Sequence, residues 1–193
     1  MIYRVHHDDR FLMYEVPAVE AMNKLGEEYG TFSFNAEPIP YKSVWKTLTI
    51  EFKACTRKTQ KIIPDISENF GRLFLSKKAY AVLQVLLNSC GEFLPVIFDG
   101  GQGYIFNPLK TAEKYSAINE EFLSYDEYGN LVHFAFHEIK LTDVPLFKTK
   151  LDTYTGIFCL EKIKSTCEDA GLTGVFFHPD ISNPVGEPYS TAQ

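Results

Sequence analysis

Residues 72–108, RLFLSKKAYAVLQVLLNSCGEFLPVIFDGGQGYIFNP, constrain the fold more than any other stretch, because strand, helix and strand signals follow one another without a gap. Leu73-Phe74-Leu75 is a short apolar run, and the Ser76 hydroxyl after it can accept a free N–H of a first helical turn. Ala79, Val82, Leu83, Leu86 and Leu87 then recur at the i, i+3, i+4 spacing of one helical face, leaving Lys77, Lys78 and Gln84 to water. Gly91 suits the left-handed position just past a helix end, and residues 92–98 form an apolar run too short for a second helix. Asp99-Gly100-Gly101-Gln102-Gly103 tolerates positive φ, so Tyr104-Ile105-Phe106 reads as the return strand of a hairpin.

Around this unit the chain reads as α+β, a mixed sheet with a few packed helices. Residues 1–64 are expected to add N-terminal strands and a helix to the same globule, residues 65–181 to form its core, and residues 182–193 to be a loosely ordered tail. Residues 2–5 and 11–16 look like two strands pairing as a hairpin across His6-His7-Asp8-Asp9, and residues 19–29 carry a helical pattern of Val19, Met22 and Leu25, closed by Gly26 or Gly30. Residues 43–52 alternate as a strand, Pro64-Asp65-Ile66-Ser67 can open a brief helix, and residues 131–141 alternate with Val132, Phe134 and Phe136 on one side. Near the end the order strand, helix, Gly, strand returns over residues 157–178. That echo fits an internal strand-helix-strand duplication or chance recurrence in a mixed protein.

Searching for chemistry removes more than it adds. His133-x-x-x-His137 would hold zinc on a helix, but in a strand the two rings stand about 13 Å apart, so no metal site is expected. The Gly100-Gly101-Gln102-Gly103 loop joins two strands and feeds no helix N-terminus, which argues against a phosphate cradle. Cys55, Cys90, Cys159 and Cys167 form no C-x-x-C pair and read as buried free thiols. No catalytic constellation or cofactor emerges. A net charge of −6 argues against nucleic acid as a direct partner and permits a basic protein. No run reaches the roughly 18 apolar residues that cross a bilayer, and MIYRVHHDDR has charges where a signal peptide is apolar, so a cytoplasmic location without membrane contact is expected.

The segments LFLSKKAYAVLQVL, GEFLPVIF, GYIFNPLKTAEKYS, the later LFK and AGLTGVFFHPDI, in that order, resemble an immunity-protein family of bacterial polymorphic toxin systems, formerly a domain of unknown function. The matching positions are Ser76, Glu92-Phe93-Leu94-Pro95-Val96, Tyr104, Ser116 and Gly171-Leu172-Thr173-Gly174-Val175-Phe176-Phe177, within residues 65–180. Where the family carries Leu-Asp before the last serine, this chain has Glu113-Lys114-Tyr115. The resemblance implies a protein that is not an enzyme and that binds and neutralises a cognate toxin domain. Toxins that cut nucleic acid present basic surfaces, which an acidic and aromatic segment would meet. Glu120, Glu121, Tyr125, Asp126, Glu127 and Tyr128 are the candidate contacts. A small enzyme or ligand-binding protein whose site converges only in three dimensions stays open as the alternative.

Overall fold

The computed structural model describes residues 1–184, in which three helices and thirteen strands form an α+β fold. In chain order these are β1 (Ile2–His7), β2 (Met13–Glu15), α1 (Ala18–Tyr29), β3 (Leu48–Thr49), β4 (Glu51–Lys53), β5 (Ile66–Asn69), β6 (Arg72–Ser76), α2 (Lys77–Leu87), β7 (Gly91–Phe98) and β8 (Gly101–Pro108). After them come β9 (Ser124–Tyr125), β10 (Leu131–His133), β11 (Leu146–Phe147), β12 (Ile157–Leu160), α3 (Glu161–Asp169) and β13 (Val175–His178). No helix among the described residues is long and apolar enough to cross a membrane.

The central unit forms as its residues dictate. The Ser76 hydroxyl accepts the Ala79 N–H at 3.1 Å and donates to Asp65 Oδ1 at 2.9 Å, capping α2 and tying it to the preceding loop. Ala79, Leu83 and Leu87 are buried, with Val82 and Leu86 partly so. β7 and β8 pair antiparallel from Gly91 opposite Pro108 to Phe98 opposite Gly101, closed by Gly100 at φ +92°. Gly91 is not left-handed. It opens β7, where a Cβ would collide with the Asn107 carbonyl, so close strand approach excludes a side chain there.

Two larger sheets result, ordered β3-β7-β8-β6-β5 and β11-β12-β1-β13, beside the two-stranded pairs β2-β4 and β9-β10. β6 and β7 are each antiparallel to β8, and so parallel to one another, with α2 as their crossover. β12 and β13 flank β1 in the same way, joined by α3. Each unit is therefore a split strand-helix-strand with an antiparallel strand between. α2 packs on α3, and one buried cluster draws Leu73, Leu75 and Leu83 together with Tyr3, Val5, Ile157 and Ile163.

Several local readings give way to tertiary pairing. β1 and β2 form no hairpin: β1 has its first five residues buried, so it takes a strand on each edge, while β2 pairs with β4. The expected strand over 43–52 is broken at Ile50, whose N–H donates to the Ile97 carbonyl as the chain leaves β7 for β2. Residues 66–69 form β5 instead of a helix, because Ile66 enters the ladder opposite Leu75. In α1, Val19 and Met22 are exposed while Ala21 and Leu25 face inward, and Gly26 at φ 80° interrupts the helix. Beyond His133 the strand expected to run to 141 stops; Phe134 and Phe136 stay buried on the residue 117–119 segment, and a 3-10 turn spans Glu138–Leu141. Of the tail, residues 182–184 are described and Ser182 is fastened, its Oγ accepting the Phe134 N–H at 3.0 Å, while residues 185–193 lie outside the described residues.

Candidate protein-interaction site

The acidic aromatic segment is a surface hairpin on a rigid base. A 3-10 turn over Glu120–Phe122 leads into β9, which pairs with β10 through Tyr125 opposite Leu131. Leu123 and Leu131 anchor it on a buried cluster containing Phe134, Phe136, Phe147 and Phe158, whose rings meet at centroid distances such as 5.1 Å for Phe136 and Phe147. Above that base the aromatics point to solvent: Phe122 is 54% exposed, Tyr125 57% and Tyr128 81%. Glu120, Glu121 and Glu127 are exposed as well.

Asp126 has a different role from the one its sequence suggests. Its Oδ1 accepts the Tyr128 N–H at 2.9 Å and the Asn130 N–H at 2.8 Å, and its Oδ2 accepts from Asn130 Nδ2 at 2.8 Å. The Asn130 side chain first, then these backbone donors, hold its carboxyl below the ordinary range. Asp126 builds the turn that presents Tyr128.

Carboxylates dominate the hairpin's own sequence, and of those in residues 115–139 Glu138 pairs with the N-terminal ammonium at 3.0 Å. Residues 115–139 contain five carboxylates and no Lys or Arg. Among the described residues, Glu120, Glu121, Asp126 and Glu127 form no ion pair. An exposed pair of tyrosines in a negative field, on a backbone already ordered, is the arrangement that gives a cationic protein surface both attraction and buried anchors.

Charges that sequence reading passed over are internal. Arg72, 2% exposed, donates to Asn107 Oδ1 at 3.0 Å, to the Phe32 carbonyl at 2.9 Å and to the Asn35 carbonyl at 2.7 Å, with its guanidinium 4.2 Å from the Phe32 ring centre. Glu92 accepts the N–H groups of Tyr41 and Lys42 and one from Asn107 Nδ2, and Lys148 Nζ donates to the Ala36 carbonyl at 2.8 Å. Together they fasten residues 32–42, a segment with no strand ladder of its own. Behind them, Arg4 lies 3.2 Å from Asp152 Oδ2, and burial pushes Glu68 up to about 7 and Lys148 well below its ordinary value. His133 and His137 do not converge: His133 Nδ1 meets Ser182 Oγ at 3.2 Å, and His137 heads a 3-10 turn.

No family model matches this chain. A search among curated proteins likewise returns no significant relative. The residues that carry the immunity-family resemblance have structural duties here: Ser76 caps α2, Glu92 holds residues 41–42, Tyr104 stacks on Tyr80 at 4.1 Å, and Gly174 at φ 101° lets the strand edge meet Pro64 and Ile66.

Proposed function

We propose that this chain is an immunity protein that binds and neutralises a cognate bacterial toxin through protein–protein contact, using the β9–β10 hairpin against a basic surface. One observation supports this above others: Tyr125 and Tyr128 stand exposed on an ordered hairpin whose carboxylates form no ion pair among the described residues. The function is inhibition by occupancy of the toxin's surface. The test uses the toxin domain encoded beside this gene. Tyr125→Ala or Tyr128→Ala should each weaken binding by on the order of 2 kcal/mol while the melting temperature stays put. Reversing Glu120, Glu121 and Glu127 in a Tyr128→Ala background should abolish protection of toxin-expressing cells. Retained affinity and protection in that variant, or a gene neighbourhood without a toxin, sinks the proposal.

A second reading, a small enzyme or ligand-binding protein, draws on the Glu68, Arg4, Asp152 and Lys148 group, in which Lys148 donates to Ala36, a residue that lines an open groove with Phe34, Phe70, Thr153 and Thr155. A carboxyl poised near neutrality suits proton transfer. Saturable binding of a small molecule that Glu68→Gln removes would favour it over the toxin-binding reading.

A further inference from the structure

His7, Asp9 and Cys55 each bring one donor atom to within 4.8 Å of the others: an imidazole nitrogen, a carboxylate oxygen and a sulfur. Two separate segments converge to do this, the end of β1 with the turn after it, and the loop that follows β4. Backbone bonds sew the two together. Thr59 Oγ1 donates to the Asp9 carbonyl at 2.8 Å, the Gln60 N–H to the Arg10 carbonyl at 2.9 Å, and the Leu12 N–H to the Ile62 carbonyl at 3.0 Å. Asp9 and Cys55 are exposed and His7 is half-buried, so the group has a fixed floor and an open entrance.

We propose that these three residues bind one divalent transition-metal ion of the zinc class, His7 through nitrogen, Asp9 through oxygen and Cys55 as thiolate. Bonds to zinc of about 2.0–2.3 Å place tetrahedral donors about 3.4–3.8 Å apart, so the set contracts by about 1 Å, within reach of side-chain rotation. A mixed nitrogen, sulfur and carboxylate set selects zinc or cobalt over calcium and magnesium, which take oxygen shells. His7 is already oriented. Its Nε2 meets the Phe11 carbonyl at 3.2 Å and its Nδ1 meets Ser67 Oγ at 3.3 Å, so whichever nitrogen turns to the metal, the other keeps a partner that fixes the ring. Metal binding breaks the Cys55 S–H bond, forms the metal–sulfur bond and releases the proton to buffer. Three protein donors leave a fourth position for water or for a donor from a docked partner.

The test is metal titration of untagged, reduced protein stripped with a chelator. Calorimetry with Zn2+ should give one ion per chain, and Co2+ should give a thiolate-to-cobalt absorption band. Cys55→Ser and Asp9→Asn, both surface changes, should each weaken zinc by at least about 10- to 100-fold, the range that loss of even a supporting residue produces, while melting of the metal-free variants matches the parent. A His133→Ala/His137→Ala variant should bind like the parent. Failure to take up one zinc per chain, uptake without the thiolate band, or uptake that survives both substitutions overturns the site.

Discussion

Glu68 sits where a carboxyl keeps its proton. Burial raises it to about 7 from an ordinary 4.5, against the opposing Gly71 N–H and the positive charges of Arg4 and Lys148. Between those values the folded chain holds a proton that the unfolded chain has lost, so this group's contribution to stability is full below pH 4.5, falls as pH rises, and is gone above about 7. The full shift corresponds to about 3 kcal/mol, and partial solvent access at Glu68 lowers that to on the order of 2. Denaturant unfolding at pH 5 and pH 8 should therefore show Glu68→Gln flattening the decline and exceeding the parent at pH 8. An unaltered slope would assign the decline to other groups. Nothing in the sequence marks Glu68 or Arg72, because their surroundings come from residues 4, 32, 35 and 148. Ser76 was legible for the opposite reason: its partner, the Ala79 N–H, lies three residues away. In the candidate site, exposure of Tyr125 and Tyr128 was readable from their polar neighbours, but the turn-building role of Asp126 was not, since free and folded-back carboxylates look alike in sequence.

At the scale of elements, the β7–β8 hairpin depends on Gly91 for space. Alanine normally improves on glycine inside a strand. Here the added Cβ meets the Asn107 carbonyl and the Phe106 ring, so Gly91→Ala should destabilise by about 1–3 kcal/mol, the usual range for overpacking. Thermal melts against Gly100→Ala, where a Cβ meets nothing but φ is positive, separate crowding from backbone strain. A Gly91→Ala melt equal to the parent's would show that β7 and β8 can move apart. α2 and this hairpin were readable because each is bounded by its own sequence neighbours, a cap, an apolar stripe and a glycine turn. β5 was not: Pro64 followed by Asp65 imitates a helix start, and only pairing of residues 66–69 with 72–75 overrides it. The loop that brings Cys55 to His7 was equally hidden, since a polar connector and a basic loop give no sign that they touch.

Across the whole molecule, charge is concentrated on one side of the sequence's accounting: five carboxylates of residues 115–139 against a net of −6. Association with a basic partner should therefore slow by about tenfold or more as salt rises from low to several hundred millimolar, and Glu120→Lys/Glu121→Lys/Glu127→Lys should be slow throughout with little salt dependence. Stopped-flow rates decide this, and equal salt dependence in both proteins would place the steering field elsewhere. The recurrence of strand, helix, Gly, strand in the sequence corresponds to two units of one architecture, α2 across β6 and β7 and α3 across β12 and β13. What the recurrence could not reveal is that the intervening strand follows in one unit, as β8, and is supplied by β1 in the other, with Ile2 opposite Leu160. A ribosome making this chain thus delivers β1 long before the strands on either side of it exist. Until residues 157–178 emerge, that strand has two open edges and no strand partner, and any product cut short by stalled translation retains a sticky, unfinished sheet for chaperones and proteases to find.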